Sequence, residues 1–242
     1  MDRIERIIKE IELLMRGEPF YSKIESVEDN TKGNNIRSEL LTKQGQLSER
    51  NTDIIISEMK KLELEVKNCR DCDLFKNRTN AVPGEGSYIS KLMIVGEGPG
   101  RDEDTQGRPF VGRAGQLLTK LLNEIGIDRK DVYITNVVKC RPPENRTPTP
   151  EEIKSCKKYL ERQFDIIRPK VVLILGSTAL KAILGEEKIT KVRGEGVELD
   201  GVIYFPTFHP AAVLRDEQNK MPIIRSDFLK LKEILQKIGF FG

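Results

Sequence analysis

Tryptophan is absent from the 242 residues, histidine occurs once and cysteine four times. A histidine needed for chemistry therefore has a single candidate, His209. Four cysteines are too few for a secreted disulfide scaffold in a chain of this size, and a reducing cytosol would keep them as thiols available to a metal. No apolar run approaches the ~20 residues of a membrane span, and Met1-Asp2-Arg3 opens into charged, helix-patterned sequence rather than a signal peptide, so the expected location is cytoplasmic. Net charge is also small: 41 Lys+Arg against 38 Asp+Glu leave +3, which excludes a histone-like polycation and requires any nucleic-acid affinity to come from a local patch. The missing tryptophan and a Lys/Glu-rich surface lean toward a thermophile.

What is present divides the chain into parts. Ile4, Ile7, Ile8, Ile11, Leu14 and Met15 recur at spacings of three and four, which predicts an amphipathic helix over 1–25. Residues 26–53 turn to Asn, Ser, Thr, Gln and charge, the composition of a flexible polar linker. The folded domain is expected over 54–242, opening with the apolar face Ile55, Met59, Leu62 and Val66. Beyond it, apolar runs at 91–95, 132–135, 171–175 and 202–205 alternate with helix-patterned stretches, which argues for an α/β fold with a largely parallel sheet covered on both faces. Thr149-Pro150-Glu151-Glu152 reads as a capping box opening the helix that carries Cys156, and Ser226 as the cap of a last helix ended by Gly239. Open parallel sheets bind ligands beyond the carboxyl ends of their strands. Here those ends carry Gly96-Glu97-Gly98-Pro99-Gly100, Asn136, Gly176-Ser177 and His209-Pro210.

Each of these groups has a chemical reading. The glycine turn fails the dinucleotide fingerprint, since Arg101 stands where its third glycine belongs, and no Gly-Lys-Ser/Thr follows for a phosphate loop. Its glycines permit backbone N–H groups to approach a flat or anionic ligand, with Glu97 presented at the turn. Asp102, Glu103 and Asp104 follow, an odd choice beside phosphate unless one carboxylate is chemical. Cys69 and Cys72 form a C-x-x-C pair that Cys140 and Cys156 can complete, giving four thiolates for tetrahedral zinc or an iron–sulfur cluster. Phe110 offers a stacking surface worth ~1–3 kcal/mol to a base. Arg101, Arg108 and Arg113 on one side and Arg215, Lys220 and Arg225 on the other are candidate phosphate contacts.

Val95-Gly96-Glu97-Gly98-Pro99-Gly100, Glu103-Asp104, the run from Gly107 through Arg108, Phe110 and Arg113 to Leu118, Asn136 through Cys140 to Pro143, and His209-Pro210-Ala211-Ala212 together resemble the family 4 uracil-DNA glycosylases, over residues 54 to the C-terminus. The resemblance implies a three-layer α/β/α sandwich with a four-stranded mainly parallel sheet, and a monomeric base-excision repair enzyme that flips uracil out of single- or double-stranded DNA, hydrolyses its N-glycosidic bond and leaves an abasic site. It implies that Gly96, Glu97 and Gly98 line the base pocket, that Phe110 stacks on uracil, that Asn136 reads its pairing edge and that His209 hydrogen-bonds its carbonyl. Cys69, Cys72, Cys140 and Cys156 would hold a structural [4Fe-4S] cluster. The aspartate of the better-known uracil glycosylases corresponds to Gly98 here, which leaves Glu97 and Glu103 as candidates to position water beside a catalytic His209. The stretch Val213-Leu214-Arg215 after His209 is placed to wedge an apolar side chain into the vacated base stack, with Leu214, Arg215, Arg108 and Arg113 as DNA contacts. A subgroup that attaches covalently to DNA uses an extra histidine, which this chain lacks.

Two other classes compete. A non-catalytic iron–sulfur or zinc DNA-binding module on this fold predicts loss of Glu97, Asn136 or His209, and all three are present. A nucleotide-dependent enzyme using the glycine loop would need a lysine or acidic ribose partner that the loop lacks. The terminal Phe240-Phe241 suggests a sliding clamp as a further partner, although the register is off: counting back from Phe240, the aliphatic position is Lys237 and the glutamine position is Ile234. Packing of the two rings on the domain is the competing expectation.

Overall fold

The computed structural model describes residues 52–185 and 188–241; the helix expected over 1–25, and the linker expected over 26–53 except for its last two residues, lie outside the described residues. The first described helix, α1 (52–68), buries Met59, Leu62 and Val66, the stripe its sequence spacing predicts. The elements that follow are β1 (Glu85–Gly86), β2 (Leu92–Gly96), α2 (Arg101–Gln106), α3 (Arg113–Glu124), β3 (Tyr133–Asn136), α4 (Pro150–Ile167), β4 (Val171–Leu175), α5 (Ser177–Leu184), α6 (Ile189–Val192), β5 (Val197–Leu199), β6 (Val202–Thr207), α7 (Pro210–Leu214) and α8 (Glu217–Lys237). Among the described residues no helix is long and apolar enough to cross a membrane.

The sheet runs β1-β3-β2-β4-β6-β5. Its centre, β3-β2-β4-β6, is parallel, with Met93 opposite Tyr133 on one side and Val172 on the other. Every residue of β2 and β4 is buried, as unbroken apolar runs require when helices cover both faces. Alternate residues of these strands divide between two apolar clusters. Met93, Val95, Val172 and Ile174 pack with α1, α4 and α5, while Leu92, Ile94, Leu173 and Leu175 pack with α3, α7 and α8. Three layers follow from that period of two.

The four expected strands are thus the parallel centre, and two short antiparallel edge strands extend the sheet to six. β1 and β5 span two and three residues, too few to show any alternation in sequence. The last helix begins at Glu217, ahead of the Ser226 cap expected from sequence, and continues through Pro222. Burial of Ile224 in line with Phe228, Leu231 and Leu235 offsets the amide donor that proline removes. At the other end Gly239 adopts φ 65 and the Phe240 amide donates to Leu235 O at 2.9 Å, a Schellman-type turn. Phe240 packs on the α3/α8 side of the core, while Phe241 lies edge-on against it and stays 41% exposed.

Candidate active site

Because β2, β3, β4 and β6 are parallel, their carboxyl ends open at one edge, and a cavity of about 510 Å³ lies there. Glu97 and Gly98 enter it from the turn after β2, Asn136 from the end of β3, Thr178 from the first turn of α5, and His209 from just past β6. The amides of Val137 and Val138 donate to Gly96 O at 2.9 Å and Glu97 O at 3.2 Å, so the parallel ladder holds the glycine turn beyond the last strand residue. A Cβ on Gly96 would lie 2.4 Å from Phe110 Cζ and 2.6 Å from Asn136 Oδ1. The missing side chain is what lets the aromatic ring and the amide reach the same wall.

Asn136 is buried, and among the described residues its Oδ1 is the one buried side-chain polar atom without a hydrogen-bond partner. Such an atom costs ~1–3 kcal/mol unless a ligand or water completes it. Beside it, Thr178 Oγ1 donates to the Glu97 carboxylate and fixes its direction. His209 caps α7, and its Nδ1 accepts the Ala211 amide at 3.2 Å. An accepting Nδ1 places the ring proton on Nε2. Burial among protein atoms, with the Arg215 charge adding to it, pulls the imidazole pKa down to about 4, so the ring is neutral near pH 7. One edge of the ring still opens to the cavity. Phe110 faces it, ring centroids 5.6 Å apart at 31°.

The remaining acids of the turn have structural partners. Glu103 Oε1 accepts the amides of Val111 and Gly112, each at 2.9 Å, and Oε2 accepts that of Gly100 at 3.1 Å. Its carboxylate borders the cavity but ties the glycine turn to the loop after Phe110. Asp104 is buried and accepts the amides of Thr79 and Asn80. The basic residues separate similarly. Arg215 is exposed at the cavity rim and Arg113 is exposed at the start of α3, whereas Arg108 is paired with Glu85 at 2.6 Å. Lys220 and Arg225 are engaged by Asp216 and Glu124. Val213 is fully buried, so Leu214, half-buried beside the rim, is the apolar side chain left for a wedge.

The four cysteines arrive from three places: Cys69 and Cys72 after α1, Cys140 after β3 and Cys156 within α4. All four are free thiols in one apolar cluster, Cys140 and Cys156 buried and the other two half-buried. Arg78 Nη1 donates to Cys140 Sγ at 3.0 Å, and the Lys139 amide donates to Cys156 Sγ at 3.3 Å. Burial pushes the thiols of Cys72 and Cys140 up and that of Cys156 up to about 12, and the neighbouring thiols push in the same direction. Among the described residues no three His, Cys, Asp or Glu side chains are gathered tightly enough to hold a metal ion as they stand.

Four residues of this region carried no sequence signal of their role. Thr178 orients Glu97, Arg78 donates to Cys140, Arg129 grips the loop at Phe110, and Lys139 spans the space between site and thiols. Lys139 Nζ donates at 2.7 Å to each of Thr135 Oγ1, Asn136 O and Gln163 Oε1, fully buried. Only Lys139 stands within a recognisable motif.

Residues 83–236 match the family model of the uracil DNA glycosylase superfamily. The chain is 53% identical over 178 residues to a type-4 uracil-DNA glycosylase of Thermotoga maritima, covering 72% of this chain and 93% of that protein. It is 48% identical over 182 residues to the type-4 uracil-DNA glycosylase of Archaeoglobus fulgidus, covering 72% and 91%. A type-5 uracil-DNA glycosylase of Pyrobaculum aerophilum is 35% identical over 148 residues, covering 54% of this chain and 65% of that protein.

Proposed function

The chain belongs to the uracil-DNA glycosylase superfamily, and on that premise we propose that the cavity receives a uracil extruded from DNA and that the enzyme hydrolyses its N-glycosidic bond. The observation that carries this reading is the orphaned Oδ1 of Asn136. Uracil N3–H is the donor it lacks, while the Asn136 amide nitrogen can donate to O4. Cytosine reverses both contacts, since its N3 has no hydrogen and its C4 carries an amino group.

Extrusion costs a few kcal/mol of stacking and pairing, which Leu214 entering the gap and the Phe110 ring beneath the base offset. Arg215 and Arg113 supply phosphate contacts; Arg108 adds one where its exposed side reaches the backbone. As the C1′–N1 bond breaks, its electron pair passes to the uracil ring and charge collects on O2. A neutral His209 donates Nε2–H there without adding a proton, and the sugar is left oxocarbenium-like. Glu97, directed by Thr178, orients a water toward C1′ and takes its proton as the new C–O bond forms. Glu103 has three backbone amides to satisfy and is assigned to the shape of the turn rather than to the water.

Cys69, Cys72, Cys140 and Cys156 would hold a [4Fe-4S] cluster. Support comes from the four free thiols gathered in one apolar cluster, the soft ligand set that an iron–sulfur group takes. When bound, the cluster supplies a cross-link between the exit of α1, the exit of β3 and α4; hydrolysis transfers no net electrons, so its contribution is architectural. DNA is the macromolecular partner. For a sliding clamp only Phe241 is available, because Phe240 packs on the domain.

The test is incubation of the purified protein with single- and double-stranded DNA carrying one uracil, followed by alkaline cleavage at abasic sites. Strand scission at the uracil and release of free uracil are expected. DNA binding with no scission would instead favour a non-catalytic binding module on the same fold.

A further inference from the structure

Phe110 has φ 51, the left-handed region that bulky side chains avoid, so its surroundings must hold it there. Arg129, whose side chain is only 16% exposed, does so with one planar group. Its Nη1 donates to Phe110 O at 2.9 Å and its Nη2 to Pro109 O, so two consecutive carbonyls are fixed at once. Its Nε donates at 2.9 Å to Glu85 Oε1, on the edge strand β1. Glu85 also accepts from Arg108 Nε at 2.6 Å and Nη2 at 3.2 Å, which locks the carboxylate between two guanidiniums. From the other side Gly115 presses on the same peptide: a Cβ there would lie 1.8 Å from Phe110 O. The loop backbone is clamped, and the ring is directed at Gly96 and the cavity.

We infer that Arg129, held by Glu85, is a positioning residue that sets the aromatic platform under the flipped base. The inference rests on the reading that Phe110 stacks on uracil. A lysine cannot replace this guanidinium, since one ammonium cannot reach two carbonyls and a carboxylate in a single plane. The edge strand β1 thereby acquires a function: it delivers Glu85 to the clamp.

A double-mutant cycle tests the inference. Arg129→Gln should lower kcat/KM for uracil release about tenfold, the scale of a misplaced base–aromatic stack, with binding to undamaged DNA unchanged. In a Phe110→Ala background the same substitution should cost less than about twofold, because the ring it serves is gone. Glu85→Gln should give a smaller loss with the same dependence on Phe110, and it carries the test if Arg129→Gln does not fold. Equal losses in both backgrounds, or no loss in folded Arg129→Gln or Glu85→Gln, overturn the inference. Unimpaired uracil release by Phe110→Ala marks a different failure: the stacking reading falls, and the inference with it.

Discussion

Asn136 and His209 both line the cavity, and the roles proposed for them each make a measurable prediction. Asn136→Asp replaces the amide donor facing uracil O4 with an acceptor, so uracil release should fall about a hundredfold, the scale of an unpaired buried charged group. Single-turnover excision measures it, and an unchanged rate would remove Asn136 from the pocket. His209→Ala deletes the donor assigned to uracil O2 and should slow release by ~10²–10³, with little change in affinity for undamaged DNA. Parallel losses in affinity and rate would make the residue structural. Because the His209 pKa is pulled down to about 4, the active neutral ring should persist across pH 6–8, and excision should show no inflection near 6.5 from this group. The same shift affects stability. An unfolded chain takes up the His209 proton below about 6.5 while the folded one resists until about 4, so the stabilisation is intact above 6.5 and is lost as pH falls between those values. Chemical denaturation of the wild type and of His209→Ala at several pH values checks this: the difference in slope should lie in that window.

At the scale of elements, what positions these side chains is a set of helix starts and strand ends. α4 opens with a capping box: the Glu152 amide donates to Thr149 Oγ1 at 3.3 Å and the Thr149 amide donates to Glu152 Oε2 at 2.8 Å. Arg146 adds a two-pronged contact to the same carboxylate. This cap fixes the first turn of the helix that carries Cys156, so Thr149→Ala should cost ~1 kcal/mol of stability and shorten the retention of iron under chelator, with excision by the loaded enzyme nearly unchanged. Thermal unfolding and iron content over time are the two readouts, and a normal melting temperature would mean that the cap is redundant. His209 is supported in a comparable way. Asp227 of α8, fully buried, accepts from Thr207 Oγ1 and from both prongs of Arg193, anchoring the end of β6 two residues before the histidine.

For the whole molecule, the thiol cluster and the cavity are separate regions joined through β3, whose exit carries Asn136 at one end and Cys140 at the other. Removing a thiol should therefore act on the fold before it acts on the reaction. Cys140→Ala should lower the melting temperature by several degrees and bleach the visible absorbance of the cluster, while the single-turnover rate of the fraction still folded stays within about threefold of wild type. Anaerobic purification with iron and sulfide analysis accompanies the test. Four thiols holding stoichiometric zinc and no sulfide would overturn the cluster, and a rate loss exceeding the stability loss would place it in the chemistry.

The sequence by itself determined the four central strands and their alternation with helices, the two-sided burial of β2 and β4, the cap of α4, and the gathering of Glu97, Asn136 and His209 at one sheet edge, because each rests on local periodicity or on the rule that parallel strands end together. It also supplied the motifs by which the family was recognisable. The tertiary structure decided what depends on partners distant in the chain. Glu97 and Glu103 are six residues apart and alike in sequence, yet one is directed into the cavity by a hydroxyl 81 positions away, and the other is consumed by three loop amides. The two- and three-residue edge strands, the helix running past Pro222, and the Arg129–Glu85 clamp were illegible for the same reason. Their stability comes from long-range burial and hydrogen bonding, and nothing in the local pattern of residues records it.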